Sequence, residues 1–198
     1  MLVTDLFSGL GGWSAAFKER GHEVFTVDID PRFEPDLVAD IMDVRPVDLP
    51  PGPHVILASP PCSRFSAMCI AQSWEAVKGE SHPRNVDVVM AVGYVAKTLD
   101  LVEKVNPPYW VMENPLGMLR KVVGPPRVTT YHAAWNGGGM RKATDLWGKI
   151  PGMEWPKLKE WDHVDWTPRK YDAAERARMP YPLSEALCKA IERELEVE

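Results

Sequence analysis

Cys62 sits in Ser59-Pro60-Pro61-Cys62, directly after the apolar run at residues 54–58. Two prolines fix their own φ angles and remove two N–H donors, so the corner is stiff and the thiol is held at a strand end. A free thiol is only a few per cent thiolate at neutral pH, yet it is already a good nucleophile. Cys69 and Cys188 lack such punctuation and read as packing cysteines. Glu113-Asn114-Pro115 follows another apolar run, and a carboxyl at such a strand end can act as an acid or hydrogen-bond partner where burial raises its pKa. The third feature is Asp5-Leu6-Phe7-Ser8-Gly9-Leu10-Gly11-Gly12. Its glycines let the backbone turn sharply and lie against a ligand. A helix starting there would offer N–H groups to a carboxylate or phosphate. The spacing is not G-x-G-x-x-G, so the dinucleotide signature is absent. Asp28 ends the next apolar run, where nucleotide-binding sheets place the acid that grips ribose hydroxyls, and Asp40 follows the third, within reach of an adenine amine. Each acid alone reads as a loop or capping residue. In this order, after successive strands, they favour an adenosine-type ligand.

The elements that must position these groups alternate. Short apolar runs at residues 2–7, 23–27, 37–39, 54–58 and 109–112 read as strands. Helices are expected at residues 11–20, closed by Gly21, and at 87–105, where Val88, Val92, Val95, Leu99 and Val102 make one apolar stripe. Residues 127–134 and 143–147 look like two further strands around Asn136-Gly137-Gly138-Gly139. Leu183, Ala186, Leu187, Ala190, Ile191 and Leu195 mark a last helix. This β-α-β order predicts an α/β fold, a mostly parallel sheet with helices on both faces, and ligands bind such sheets at the carboxyl edge of the strands.

Composition sets the frame. The 198 residues, 45% hydrophobic and 26% charged, fit one soluble domain able to bury a core. No apolar run approaches the roughly 20 residues of a membrane span. The first residues lack the pattern of a secretory signal, so a cytoplasmic place is expected. Three cysteines make no disulfide framework and no C-x-x-C pair points to zinc, so no metal is expected. Residues 1–60 hold ten acids against four bases, whereas residues 117–150 hold six bases against Asp145 alone, so a polyanion would meet the second stretch.

These blocks resemble the cytosine carbon-5 DNA methyltransferases over residues 4–115: DLFSGLGG, VDID, ADI, SPPCSRFS and MENP look like five of that family's motifs, in order. The resemblance implies a Rossmann-like S-adenosylmethionine-dependent methyltransferase fold and DNA as partner, its target cytosine swung out of the stack at a cost of roughly a few kcal/mol. It implies Cys62 as the nucleophile at carbon 6 and Glu113 as the partner of ring nitrogen 3. Arg141, in GGGMRKATDLWG, would hold the ring oxygen. Cofactor contacts carried over are Asp5, Phe7, Ser8, Gly9, Gly11, Gly12 and Pro60, with Asp28 on the ribose and Ile29, Asp40 and Ile41 around the adenine.

Relatives that read a sequence insert a large recognition region. Here only about 30 residues, 148–176, stand in its place, with a Trp- and Pro-rich stretch at 149–170. Trp155, Trp161 and Trp166 either pack in a small satellite core or stack on bases, and residues 63–84 could form a lid. Met179-Pro180-Tyr181-Pro182-Leu183 suggests the last motif, though Arg176 and Ala177 replace the usual Gly-Asn. A restriction-modification role fits, and a specificity partner or oligomer is not indicated. Alternatives are exocyclic-amine transfer, a tRNA or nucleotide substrate, and a non-catalytic binding relative. Amine transfer needs a flat ring where Cys62 stands.

Overall fold

Val55 and Leu57 of β4 (Val55–Ala58) face one way and Ile56 and Ala58 the other, and all four are buried. Such a strand must be covered on both sides, which is what a parallel central strand requires. The computed structural model describes residues 1–136, 142–158 and 177–196. It places β4 between β1 (Leu2–Leu6) and β7 (Tyr109–Pro115) in a seven-stranded sheet. Outside β1 lie β2 (Glu23–Asp28) and β3 (Leu37–Val38), and these five strands run parallel. Beyond β7 come β9 (Ala143–Lys149), antiparallel, and then β8 (Val128–Tyr131). The order is β3-β2-β1-β4-β7-β9-β8, an α/β, Rossmann-like sheet as expected.

One face packs on α3 (Val86–Val105) through Val88, Ala91, Val95, Leu101 and Val102. The other packs on Phe17 of α1 (Ala15–Glu19) and on Leu183, Leu187, Cys188 and Ile191 of α6 (Tyr181–Leu195). Each such large aliphatic side chain contributes about 1.5–3 kcal/mol on burial. Trp155 joins this second core, edge-on to Trp135 at 6.0 Å between ring centroids, so packing is its observed role. Trp161 and Trp166 lie outside the described residues.

Three elements differ from expectation. Helix α1 starts at Ala15, because Ser14 gives its hydroxyl to Asp5 Oδ2 (2.6 Å) and does not cap the helix. The buried Ser184 of α6 compensates: its hydroxyl donates to the Trp13 carbonyl and accepts from the Ala16 N–H. The strand expected at residues 127–134 stops at Tyr131, and α5 (His132–Asn136) follows, packing toward α6. Within residues 63–84, α2 (Ile70–Ser73) leads into an antiparallel hairpin of β5 (Trp74–Val77) and β6 (Glu80–Pro83).

Candidate active site

The groups singled out from the sequence converge at the carboxyl edge of β1, β2, β4 and β7. Cys62 lies four residues past β4 and is half-buried. Burial pushes its thiol up, Lys142 opposes that shift, and Glu113 reinforces it. Glu113, on β7, is 4% exposed. Its Oε1 lies 3.3 Å from Nζ of Lys142 and 3.3 Å from the donating hydroxyl of Thr144.

The two loops that carry thiol and carboxyl are fastened together. Asn114 Nδ2 donates to the Pro60 carbonyl (2.9 Å), and the Met118 N–H donates to the Phe65 carbonyl (2.8 Å). Ser66 bridges to Gly117, where an added Cβ would stand 2.0 Å from the Phe65 oxygen. The N–H groups of Phe65 and Ser66 both donate to the Cys62 carbonyl, closing the turn around the thiol. These contacts set the separation of Cys62 and Glu113 through covalently stiff segments rather than through flexible side chains.

Beside them lies a small cleft of about 130 Å³, lined by Phe7, Val27, Asp28, Ile29, Ala39, Asp40, Ile41, Pro61 and Tyr94. Five residues expected around an adenosine group (Phe7, Asp28, Ile29, Asp40, Ile41) thus share one wall, apolar except for two carboxylates. Ile29 is 63% exposed, an apolar side chain left for something flat to cover. Phe7 adopts φ 59°, a left-handed conformation strained for a bulky residue and typical of ligand-contacting loops. Tyr94, the lone aromatic of α3, was not foreseen, because the helical stripe alone does not say that it reaches past the sheet edge.

An adjoining cleft holds Asp5, Ser8, Gly9 and Gly12 with Ser59, Arg178 and Met179, and Gly11 lines a third beside Lys18 and Arg32. Here the expectations need correcting. The glycine loop does not hold its Gly9 and Gly11 N–H groups open: Gly9 donates to Asp28 Oδ2 (2.8 Å) and Gly11 to the Ser8 carbonyl (2.8 Å). Asp28 thereby clasps the loop, and its other oxygen accepts from the Asp30 N–H (2.9 Å). Gly12 is demanded by the close approach of the chain itself, since a Cβ there would meet the Met179 nitrogen at 2.7 Å. Asp5 is buried, and burial pushes its pKa up to about 7 against the Ser14 hydrogen bond, so near neutrality it is partly protonated. Asp40 Oδ1 also caps a turn at the Met42 N–H (2.9 Å). Pro60 is buried with its carbonyl engaged, and it is Pro61 that faces the cleft.

Arg141 lies outside the described residues, and the cation observed beside Glu113 is the adjacent Lys142. The basic stretch at residues 117–150 is partly neutralised, because Arg120 pairs with the fully buried Asp145. Among the described residues, no helix is long and apolar enough to cross a membrane.

The family model described as C-5 cytosine-specific DNA methylase matches residues 1–125. No curated protein sequence matches the chain. Among solved structures, one described as a prophage-encoded DNA modification methyltransferase from E. coli superposes with a TM-score of 0.52 at 18% identity, over 81% of this chain and 52% of that one. The methyltransferase EhMeth of Entamoeba histolytica gives 0.48 at 13% identity, over 81% of this chain and 57% of that one. The chain thus spans about half the length of the solved structures it resembles.

Proposed function

The chain belongs to the C-5 cytosine-specific DNA methylase family, and from that premise we propose that it methylates carbon 5 of cytosine in DNA through a covalent Cys62 adduct. The observation that carries this reading is the fastening of the Cys62 and Glu113 loops beside a cleft lined by five of the residues expected around an adenosine group. S-adenosylmethionine, when bound, supplies a methyl group on an electrophilic sulfonium. The residues present fit it: Asp28 retains lone pairs for hydroxyls, Asp40 faces an amine, and Phe7, Ile29, Ile41 and Tyr94 offer apolar surface to a purine.

Carbon 5 of cytosine is a poor nucleophile until carbon 6 is attacked. The Cys62 thiolate uses its electron pair to form an S–C6 bond, and the C5–C6 π pair becomes available at carbon 5. In this reading Glu113 bonds to ring nitrogen 3 and takes up the charge shift. After carbon 5 has gained its methyl group, a base removes the carbon-5 proton. The pair left behind rebuilds the double bond and expels the Cys62 thiolate, so the enzyme is regenerated. A base inside a duplex must leave the stack to reach such a recessed edge. DNA is the partner in this reading, the cytoplasm its place of action, and a single catalytic domain carries the chemistry.

The test is transfer of labelled methyl groups to DNA, with bisulfite sequencing of DNA from cells making the protein. Wild type is expected to protect cytosines. Cys62→Ser, whose hydroxyl is a far weaker nucleophile at this pH, is expected to lose at least about 10³-fold in rate. Unchanged transfer in Cys62→Ser would sink the covalent route. Label on an exocyclic amine would sink the carbon-5 assignment.

A further inference from the structure

His22, Cys188 and Glu192 form a cluster beside the first residue of β2, at the amino edge of the sheet and opposite the edge that carries Cys62. Gly21, at φ 80°, turns the chain out of α1, and the His22 N–H donates to the Phe17 carbonyl (3.0 Å). The imidazole is thus delivered from a closed turn. Cys188 and Glu192 stand four residues apart on one face of α6. Nε2 of His22 lies 2.8 Å from Glu192 Oε1, and Cys188 Sγ lies 3.9 Å from the same oxygen. The three atoms all fall within 4.8 Å of one another. A tetrahedral ion with bonds of about 2.0–2.3 Å spaces its ligands about 3.3–3.8 Å apart, inside that range. The surroundings fit as well. Arg20 Nη2 donates to Glu192 Oε2 (2.5 Å) and its Nε to both oxygens, which fixes the carboxylate with Oε1 toward the imidazole and the thiol. Nδ1 of His22 lies 3.2 Å from the Met1 nitrogen, an outer partner of the kind that orients a metal-bound ring. Cys188 is fully buried, whereas Glu192 lines a cleft of about 560 Å³ through which water can enter.

We propose that His22, Cys188 and Glu192 bind a divalent transition metal of the zinc class, with water as fourth ligand, and so staple α6 to the corner between α1 and β2. Thiolate and imidazole select zinc or cobalt over magnesium and calcium, which take oxygen ligands. On binding, the Cys188 thiol proton leaves to water and the freed electron pair goes to the metal. The ion stands between Nε2 and Oε1, and the imidazole carries its proton on Nδ1, toward the Met1 nitrogen. Thiolate and carboxylate together balance the double charge of the ion. Arg20 is then one positive charge in excess, which holds the affinity below that of a site with four protein ligands. No C-x-x-C pair announces such a site, because His22 and Glu192 lie 170 positions apart. The inference stands independently of methyl transfer.

The experiment titrates Co²⁺ into the full chain under a phosphine reductant and follows its absorption. One ion per chain is expected, with the visible bands of a tetrahedral ion and a thiolate-to-cobalt band in the near ultraviolet. Added Zn²⁺ is expected to abolish both by displacement. Cys188→Ala is expected to lose the thiolate band, and a chain carrying Cys62→Ala and Cys69→Ala to keep it. His22→Gln retains a donor to Glu192 and is expected to weaken binding at least about tenfold. Zn²⁺ at a hundredfold excess over Kd is expected to raise the wild-type thermal midpoint by about 5–10 °C and to leave that of Cys188→Ala unmoved. If Cys188→Ala does not fold, His22→Gln decides. A wild type without the thiolate band, a band that survives Cys188→Ala, or undiminished affinity in His22→Gln would overturn the proposal. The cluster would then be a plain ion-paired tie between the first and last helices.

Discussion

Asn114 is fully buried, and one hydrogen bond from its Nδ2 reaches across to the Pro60 carbonyl of the neighbouring loop. The corner that carries Cys62 is therefore held from the neighbouring loop. Asn114→Ala removes the donor and leaves a buried carbonyl unpaired, which costs about 1–3 kcal/mol. The expected result is a lower urea midpoint together with a fall in kcat, because Cys62 sits two residues beyond the freed carbonyl. Wild-type stability and kcat in that variant would show the bond to be idle. From the sequence, Asn114 was only the companion of Glu113 in a motif. Its partner lies 54 positions away, and no local pattern reports such a pairing. Lys142 escaped for a similar reason. The resemblance pointed to Arg141, which lies outside the described residues, and the pairing of Lys142 with Glu113 depends on where β9 enters the sheet, a register (Glu113 opposite Leu146) set by pairing with β7.

The loops after β4 and β7 behave as one unit because Gly117 lets their backbones touch. Gly117→Ala would place a methyl carbon 2.0 Å from the Phe65 oxygen, so one loop must move. Overpacking of this kind costs about 1–3 kcal/mol. Loss of methyl transfer larger than the loss of stability is expected, measured by kcat against thermal midpoint; equal activity at lowered stability would mean the loops move together. The strands that build this edge were legible, since β1, β2, β4 and β7 are apolar runs ended by Gly, Asp or Pro and each covers a buried sheet position. The β5–β6 hairpin was not, because Glu75, Ala76, Val77 and all of β6 are exposed and show no apolar alternation. Its one local signal is the Lys78-Gly79 turn, with φ of 53° and 87°, the left-handed pair that two-residue hairpins favour. The late start of α1 was equally hidden: Ser14 lies inside the stretch read as helix, and only the fold shows that buried Asp5 claims its hydroxyl.

Two buried groups on opposite sides of β4 give the molecule a stability balance that neither reveals alone. Asp5 holds its proton up to about pH 7, whereas in the unfolded chain it loses it near 3.8. A raised acid of this kind stabilises fully below 3.8, and that contribution is lost as pH rises through 7. His132 refuses a proton down to about pH 3, whereas unfolded it accepts one near 6.5. Its contribution is present above 6.5 and lost as pH falls through 3. Between pH 5 and 6.5 the native state therefore holds one extra proton at Asp5 and lacks one at His132, and the two slopes oppose each other. Asp48, held down to about 2 by Arg45, and Asp30 and Asp36, also held low, finish titrating below this window. They are common to every variant and drop out of the comparison. Wild-type stability is expected to be nearly flat here. Asp5→Asn leaves His132 unopposed, so stability rises with pH, and His132→Gln leaves Asp5 unopposed, so stability falls. Each slope approaches about 1.4 kcal/mol per pH unit. Urea unfolding of the three proteins at pH 5, 5.75 and 6.5 reads this directly. Slopes of the same sign in the two variants would mean that Asp5 or His132 exchanges protons with water through an opening in the fold, and the buried placement of that group would have to be abandoned.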